Sequence, residues 1–127
     1  MARQRTWVFT CTVVGLQFRW KQAGREMLSR SVPFPVELER EPDNEYDPNA
    51  IKVNIAAKMK LTKLRGSQLG YLRREVAALL APKLDAGSIE PVKLWITEVD
   101  PRAGEAELSC RFKDIPKSGS TKRKIPS

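Results

Sequence analysis

The stretch E-R-E-P-D-N-E-Y-D-P-N-A-I-K-V, Glu39–Val53, joins the end of one alternating segment to the start of the next through a loop crowded with turn formers. Its centre, Pro42–Pro48, holds two prolines, two aspartates, an asparagine, a glutamate and one tyrosine. Proline fixes φ, and Asp and Asn bond to their own backbone, so this composition encodes a loop of defined shape. A flexible linker would carry Gly and Ser instead. Tyr46 and Asp47 sit at the middle of that shape, and the question is whether they serve only the loop or also a ligand.

Outward from the loop the chain alternates. Val36 and Leu38 face inward against Glu37 and Glu39, with Pro33 and Pro35 ahead of them suiting a strand start or a sheet edge. Ile51, Val53 and Ile55 alternate with Lys52 and Asn54 to give the following strand. Upstream, Trp7–Gly15 reads as a long strand with Trp7, Phe9, Cys11 and Val13 on one face. Gly15 then permits a bend, Leu16–Trp20 forms a short strand or loop, and Lys21–Arg25 is a polar segment. Downstream, Lys58–Gly66 is a basic hairpin or loop and Gln68–Leu72 a short strand.

From Arg73 the period changes to that of a helix, with Val76, Leu79, Leu80 and Leu84 at helical spacing and Gly87 as the stop. Pro82 is expected to break that helix in two. Val92–Val99 and Glu105–Phe112 close the fold as strands joined by a turn over Asp100–Gly104. Six strands around an interposed helix form a mainly β protein with one or two helices, a small, strongly bent six-stranded barrel plugged at one end. OB-like and SH3-like barrels both fit this spacing.

The 127 residues suit one domain, expected over 7–114 between a flexible N-terminus, 1–6, and a basic, aperiodic tail, 115–127. Net charge is +8, which points to a polyanionic partner. Four of the basic residues, Lys117, Lys122, Arg123 and Lys124, fall in the tail with no acid beside them, leaving +4 for the rest. No apolar run reaches the roughly 20 residues that span a bilayer, and the N-terminus lacks the apolar core of a signal peptide. The expected location is the cytoplasm, or the nucleus in a cell that has one. Cys11 and Cys110 fall in the first and last strands, where reduced cysteines act as small buried apolar groups.

The acidic loop invites a calcium reading, since Asp43, Glu45 and Asp47 alternate as in an EF-hand. The position that needs Gly is Pro48, however, and the one that needs a bidentate Glu is Asn54. With no histidine and two distant cysteines a zinc site is excluded. The chain has no phosphate-binding glycine loop and no nucleophile elbow, and no histidine to act as a base. No catalytic residue, metal or cofactor is expected, and a carboxylate-dependent nuclease ranks third among the readings.

Three blocks together carry a resemblance: Val13-Val14-Gly15-Leu16; Arg40–Val53, matching R-x-P-x-N-x-Y-D-x-N-A-I-x-V; and Leu69-Gly70-Tyr71-Leu72-Arg73-Arg74 with Ala77. The chain resembles the HIRAN domain family, modules found in helicase-like fork-remodelling proteins and as stand-alone proteins. The resemblance spans roughly residues 10–86 and implies an OB-like barrel that binds single-stranded DNA, with capture of a free 3′-hydroxyl end in the fork-remodelling members.

Carried over by position, the resemblance implies that Tyr46 stacks on or wedges against the terminal base and Asp47 accepts a hydrogen bond from the 3′-hydroxyl. Asn44 holds the loop and the terminal nucleotide, Phe18 packs on a base, and Tyr71 and Arg74 meet phosphates at the strand-to-helix junction. By charge alone, Arg73, Arg74 and the Lys58–Arg65 stretch could neutralise the DNA backbone. Gln17 and Tyr71 depart from the fork-remodelling members, which have a basic residue and a histidine there.

The resulting expectation is a monomeric, non-enzymatic module for single-stranded DNA or its 3′ ends in repair or stalled-fork processing. The alternative is an adaptor that docks a helicase or nuclease. Phe18 could equally belong to the core, and Asp47 could simply cap its own turn.

Overall fold

The computed structural model describes residues 5–56 and 66–116. Six strands, β1 (Thr6–Val14), β2 (Phe34–Arg40), β3 (Ile51–Ile55), β4 (Gln68–Leu72), β5 (Ile89–Asp100) and β6 (Glu105–Asp114), close into an antiparallel barrel in the order β1-β4-β3-β2-β5-β6. Two α-helices, α1 (Gln22–Ser29) and α2 (Arg74–Asp85), accompany it. The mainly β barrel expected from the alternation is therefore present. The basic segment 58–65 and the tail from 117 onward lie outside the described residues.

Closure depends on two uneven pairings. β1 pairs with β6 from Thr6 to Val13 but meets β4 only through Val13↔Leu72 and Val14↔Tyr71. The β5–β6 hairpin changes register between Pro91 and Lys93 and between Ile96 and Glu98, irregularities that bend a long hairpin around the barrel. β5 then reaches β2 through Phe34↔Ile96 and Pro35↔Trp95. The inward residues, among them Val13, Phe34, Ile51, Val53, Ile55, Ile96, Leu108 and Phe112, are fully or almost fully buried. Each of the larger ones contributes about 1.5–3 kcal/mol of transfer free energy.

The narrow β1–β4 seam depends on Gly70. A Cβ there would lie 2.4 Å from the Val14 carbonyl oxygen and 3.2 Å from Leu16 Cδ1, so only glycine lets the two strands approach. Gly15, at φ 86°, then turns the chain out of β1 into a single 3₁₀ turn, Leu16–Phe18, where a short strand or loop was expected.

Two expectations about helices are corrected. α1 occupies the segment expected to be merely polar: it has no side-chain cap and buries only Leu28 completely, so its apolar stripe is too thin to see in the sequence. A tertiary bond holds it, Arg25 donating from Nε to the Pro101 carbonyl (2.6 Å), while its Nη2 donates to Gln22 within the same helix (2.7 Å). Pro82 does not break α2, which runs unbroken to Asp85. Pro82 and Ala78, whose carbonyl loses its N–H partner, are both exposed, so water can take the vacated bond.

Candidate functional site

The Glu41–Ala50 loop is a lattice of its own hydrogen bonds. Glu41 N–H donates to the Ala50 carbonyl, Asn44 N–H to Glu41 and Ala50 N–H to Asp47, each at 3.0 Å. Asn44 Oδ1 accepts from the backbone of both Tyr46 (2.8 Å) and Asp47 (3.0 Å), while its Nδ2 donates to Glu41 Oε1 (2.7 Å). Asp47 Oδ1 accepts from Asn49 N–H (2.9 Å). The Asn44 and Asp47 side chains are thus consumed in fixing the turn, whereas Asp43 and Glu45 are exposed.

Glu41 anchors this lattice from below, and no motif singled it out. It accepts from Asn44 and from the Tyr71 hydroxyl (2.7 Å), and Lys52 Nζ lies 3.4 Å from its other oxygen. Those donors, Asn44 first, then Tyr71 and Lys52, hold its carboxyl below the usual glutamate range. Lys52 and Tyr71 are cross-strand partners on β3 and β4, so the barrel itself sets the height of the loop. The only sequence signal for this hub was its place beside Arg40 at the mouth of the turn.

Helix α2 pins the loop at both of its ends. Near its start, Arg74 Nη2 donates to the Tyr46 carbonyl (3.1 Å), and its Nε stands 3.7 Å from Asp47 Oδ2. Near its finish, Asp85 takes a two-pronged bond from Arg40 (2.8 and 2.9 Å), whose other donors hold the carbonyls of Ala50 and Pro48. The Arg40 bonds keep the Asp85 carboxyl below its usual range.

Asn44, Tyr46, Asp47, Tyr71 and Arg74 therefore meet at one place. Among them Tyr46 and Arg74 are exposed, but Arg74 is bonded to the loop, whereas the Tyr46 side chain stands in water with no bond of its own among the described residues, the residue 79% exposed. Asp47 is 20% exposed at its side chain, one oxygen bound to its own loop and the other turned toward Arg74. Tyr71 is half-buried, its hydroxyl spent on Glu41. Arg73 is exposed beside Arg74 and stands 3.6 Å from Glu105 on the far strand.

Phe18 lies on the 3₁₀ turn that follows Val14, the cross-strand partner of Tyr71, and is 84% exposed. It is not a core residue: at the Gly15 turn the alternation ends, and Leu16 alone points inward. Asp43, Glu45 and Asp47 do not converge, and among the described residues no group of three or more acidic or cysteine side chains could hold a metal ion.

A model of the HIRAN domain matches residues 8–113, most of the barrel. The chain belongs to the HIRAN domain family. Within it, the helicase-like transcription factor of Oryctolagus cuniculus is 50% identical to this HIRAN domain over 50 residues, 39% of this chain. Those residues make up 4% of that protein, so the chain spans a small fraction of the curated relative it matches. The crystal structure of the HIRAN domain of human HLTF superposes with a TM-score of 0.67 at 26% identity, covering 87% of this chain and 78% of that one. An NMR structure of the HLTF HIRAN domain in its DNA-bound conformation shares the fold, with a TM-score of 0.56 at 24% identity over 90% of this chain and 80% of that one.

Proposed function

We propose that this HIRAN domain binds single-stranded DNA at the Tyr46 loop and receives a free 3′ end there, in repair or stalled-fork processing. The observation that carries the reading is the exposure of Tyr46 on a loop that the Asn44 and Asp47 side chains hold in shape. A loop braced at both ends of α2 and by Glu41 holds one aromatic side chain in water. Such a rigid aromatic is a stacking platform for a base of any identity.

Its surroundings suit the backbone of the same strand. Arg73 and Arg74 stand at the N-terminal end of α2, where the helix dipole disfavours cations and an anion is welcome. Phe18 offers a second exposed ring beyond Tyr71. Asp47 Oδ2, free of the loop's own bonds, can accept a hydrogen bond from a 3′-hydroxyl, and its charge repels a 3′-phosphate. Family membership supports DNA as the ligand, a HIRAN domain being known in a DNA-bound conformation. The role is binding rather than catalysis, and no step of bond breaking is assigned to any residue.

The test is a titration of labelled single strands ending in 3′-hydroxyl or 3′-phosphate, and of blunt duplex, at two salt concentrations with magnesium present. The 3′-hydroxyl strand should bind tightest and weaken with salt. Equal affinity for the two ends would remove the end-capture role of Asp47. Absence of binding to every strand would remove DNA as the ligand, and shortened strands would restore the nuclease reading.

A further inference from the structure

The flank of α2 that faces away from the Tyr46 loop borders a second feature. Arg74 and Asp85, the residues that grip the loop, lie on one line of the helix, whereas Val76, Leu79, Leu80 and Lys83 lie about 180° around it at roughly 3.6 residues per turn. Between this second flank and the start of β1 runs an apolar groove of about 300 Å³, walled by Trp7, Phe9, Val76, Leu79, Leu80 and Phe112. Phe9 stacks on Phe112 at 5.9 Å to form one wall. Leu79 is 70% exposed at the rim and Trp7 is exposed beside it. Nothing in the barrel requires a leucine and a tryptophan to stand in water together, and such a grouping marks a contact surface.

The charges at the rim choose among the occupants. The guanidinium of Arg5 lies 5.7 Å from the centre of the Trp7 ring and the ammonium of Lys83 5.9 Å from it. Among the described residues neither makes an ion pair, and the carboxylate nearby, Asp114, is bonded to the indole N–H (2.7 Å). A second copy of this chain would bring an equally basic rim against this one, and the chain's own C-terminal tail carries four cations and no acid. Nucleobases would leave polar edges without partners against an almost wholly apolar lining. A protein segment with leucine or phenylalanine side chains flanked by aspartate and glutamate satisfies both the lining and the rim.

We infer that the Trp7–Leu79 groove docks an apolar, acid-flanked segment of a partner protein, and does so while the opposite flank of α2 holds the DNA loop. The site is independent of the DNA reading.

The probe is a short fluorescein-labelled peptide with leucine and phenylalanine on one helical face and aspartate and glutamate at both ends. Its lysine-flanked and scrambled counterparts serve as controls, and the full chain is titrated with each. The acid-flanked peptide should raise anisotropy and shift the Trp7 indole N–H resonance. Leu79→Asp, an exposed position that leaves the barrel core intact, should lose about tenfold or more of that affinity and keep its DNA binding and melting temperature. A saturating single strand should leave peptide binding unchanged.

Four results would overturn the proposal: no binding, equal binding of the lysine-flanked peptide, displacement of the peptide by DNA, or a concentration-dependent dimer abolished by Leu79→Asp. The third would place nucleic acid in the groove and the fourth a second copy.

Discussion

At the scale of single residues the loop separates two jobs that its sequence runs together. Asn44 holds the turn through three bonds, two of them to backbone N–H groups, and Tyr46 makes no side-chain bond at all among the described residues. Asn44→Ala should therefore cost about 1–3 kcal/mol in urea denaturation, because the part-buried Asp47 N–H and the part-buried Glu41 carboxylate each lose a partner. Glu41 gives a pH dependence with a definite sign. Its carboxyl is held below the unfolded value, so its contribution to stability is complete above about pH 4.3 and is lost as pH falls through the folded value. Acid unfolding followed by circular dichroism should show that loss, and Tyr71→Phe, which removes one of its donors, should move it to higher pH. The sequence marked Asn44, Tyr46 and Asp47 because turn chemistry is local. It was silent on Glu41, whose partners Tyr71 and Lys52 come from other strands.

At the scale of elements the same division holds. Strands β2 and β3 were legible because one buried face imposes strict alternation, and α2 because its apolar residues keep the helical period. α1 was not legible: it is held to the barrel by Arg25 and, just ahead of the helix, by Trp20, each reaching a distant carbonyl, which no periodicity records. The unbroken course of α2 through Pro82 was missed because the rule assumes that the freed carbonyl is buried. Pro82→Ala restores an N–H to that site and should stabilise the domain by about 1–3 kcal/mol, measurable as a higher denaturation midpoint. Gly70→Ala should do the reverse, costing about 1–3 kcal/mol or more as the new methyl meets the Val14 carbonyl and opens the β1–β4 seam. At the start of α2, Arg73 spends its charge on one exposed, weak ion pair with Glu105. Arg73→Ala should therefore leave stability unchanged and reduce the salt slope of single-strand binding by about 0.7.

At the scale of the whole molecule, the barrel serves as a frame that sets one helix between two surfaces. On one flank, α2 clamps the acidic, proline-bounded loop at both ends. On the other it borders the apolar groove beside Trp7. The closed strand order could not be read from the sequence, since it depends on a seam of two residue pairs and on two register shifts in a hairpin. The position of the loop above Tyr71 and Lys52 follows from that closure. The exposed aromatic it carries is the central claim, and Tyr46 itself is the place to test it. Fluorescence anisotropy of a 3′-hydroxyl single strand, run on the natural chain and on Tyr46→Ala beside their melting curves, isolates the ring from the fold. The account predicts a loss of about 1–3 kcal/mol in binding, roughly 5- to 150-fold, at an unchanged melting temperature. Equal affinity in the two chains would contradict it.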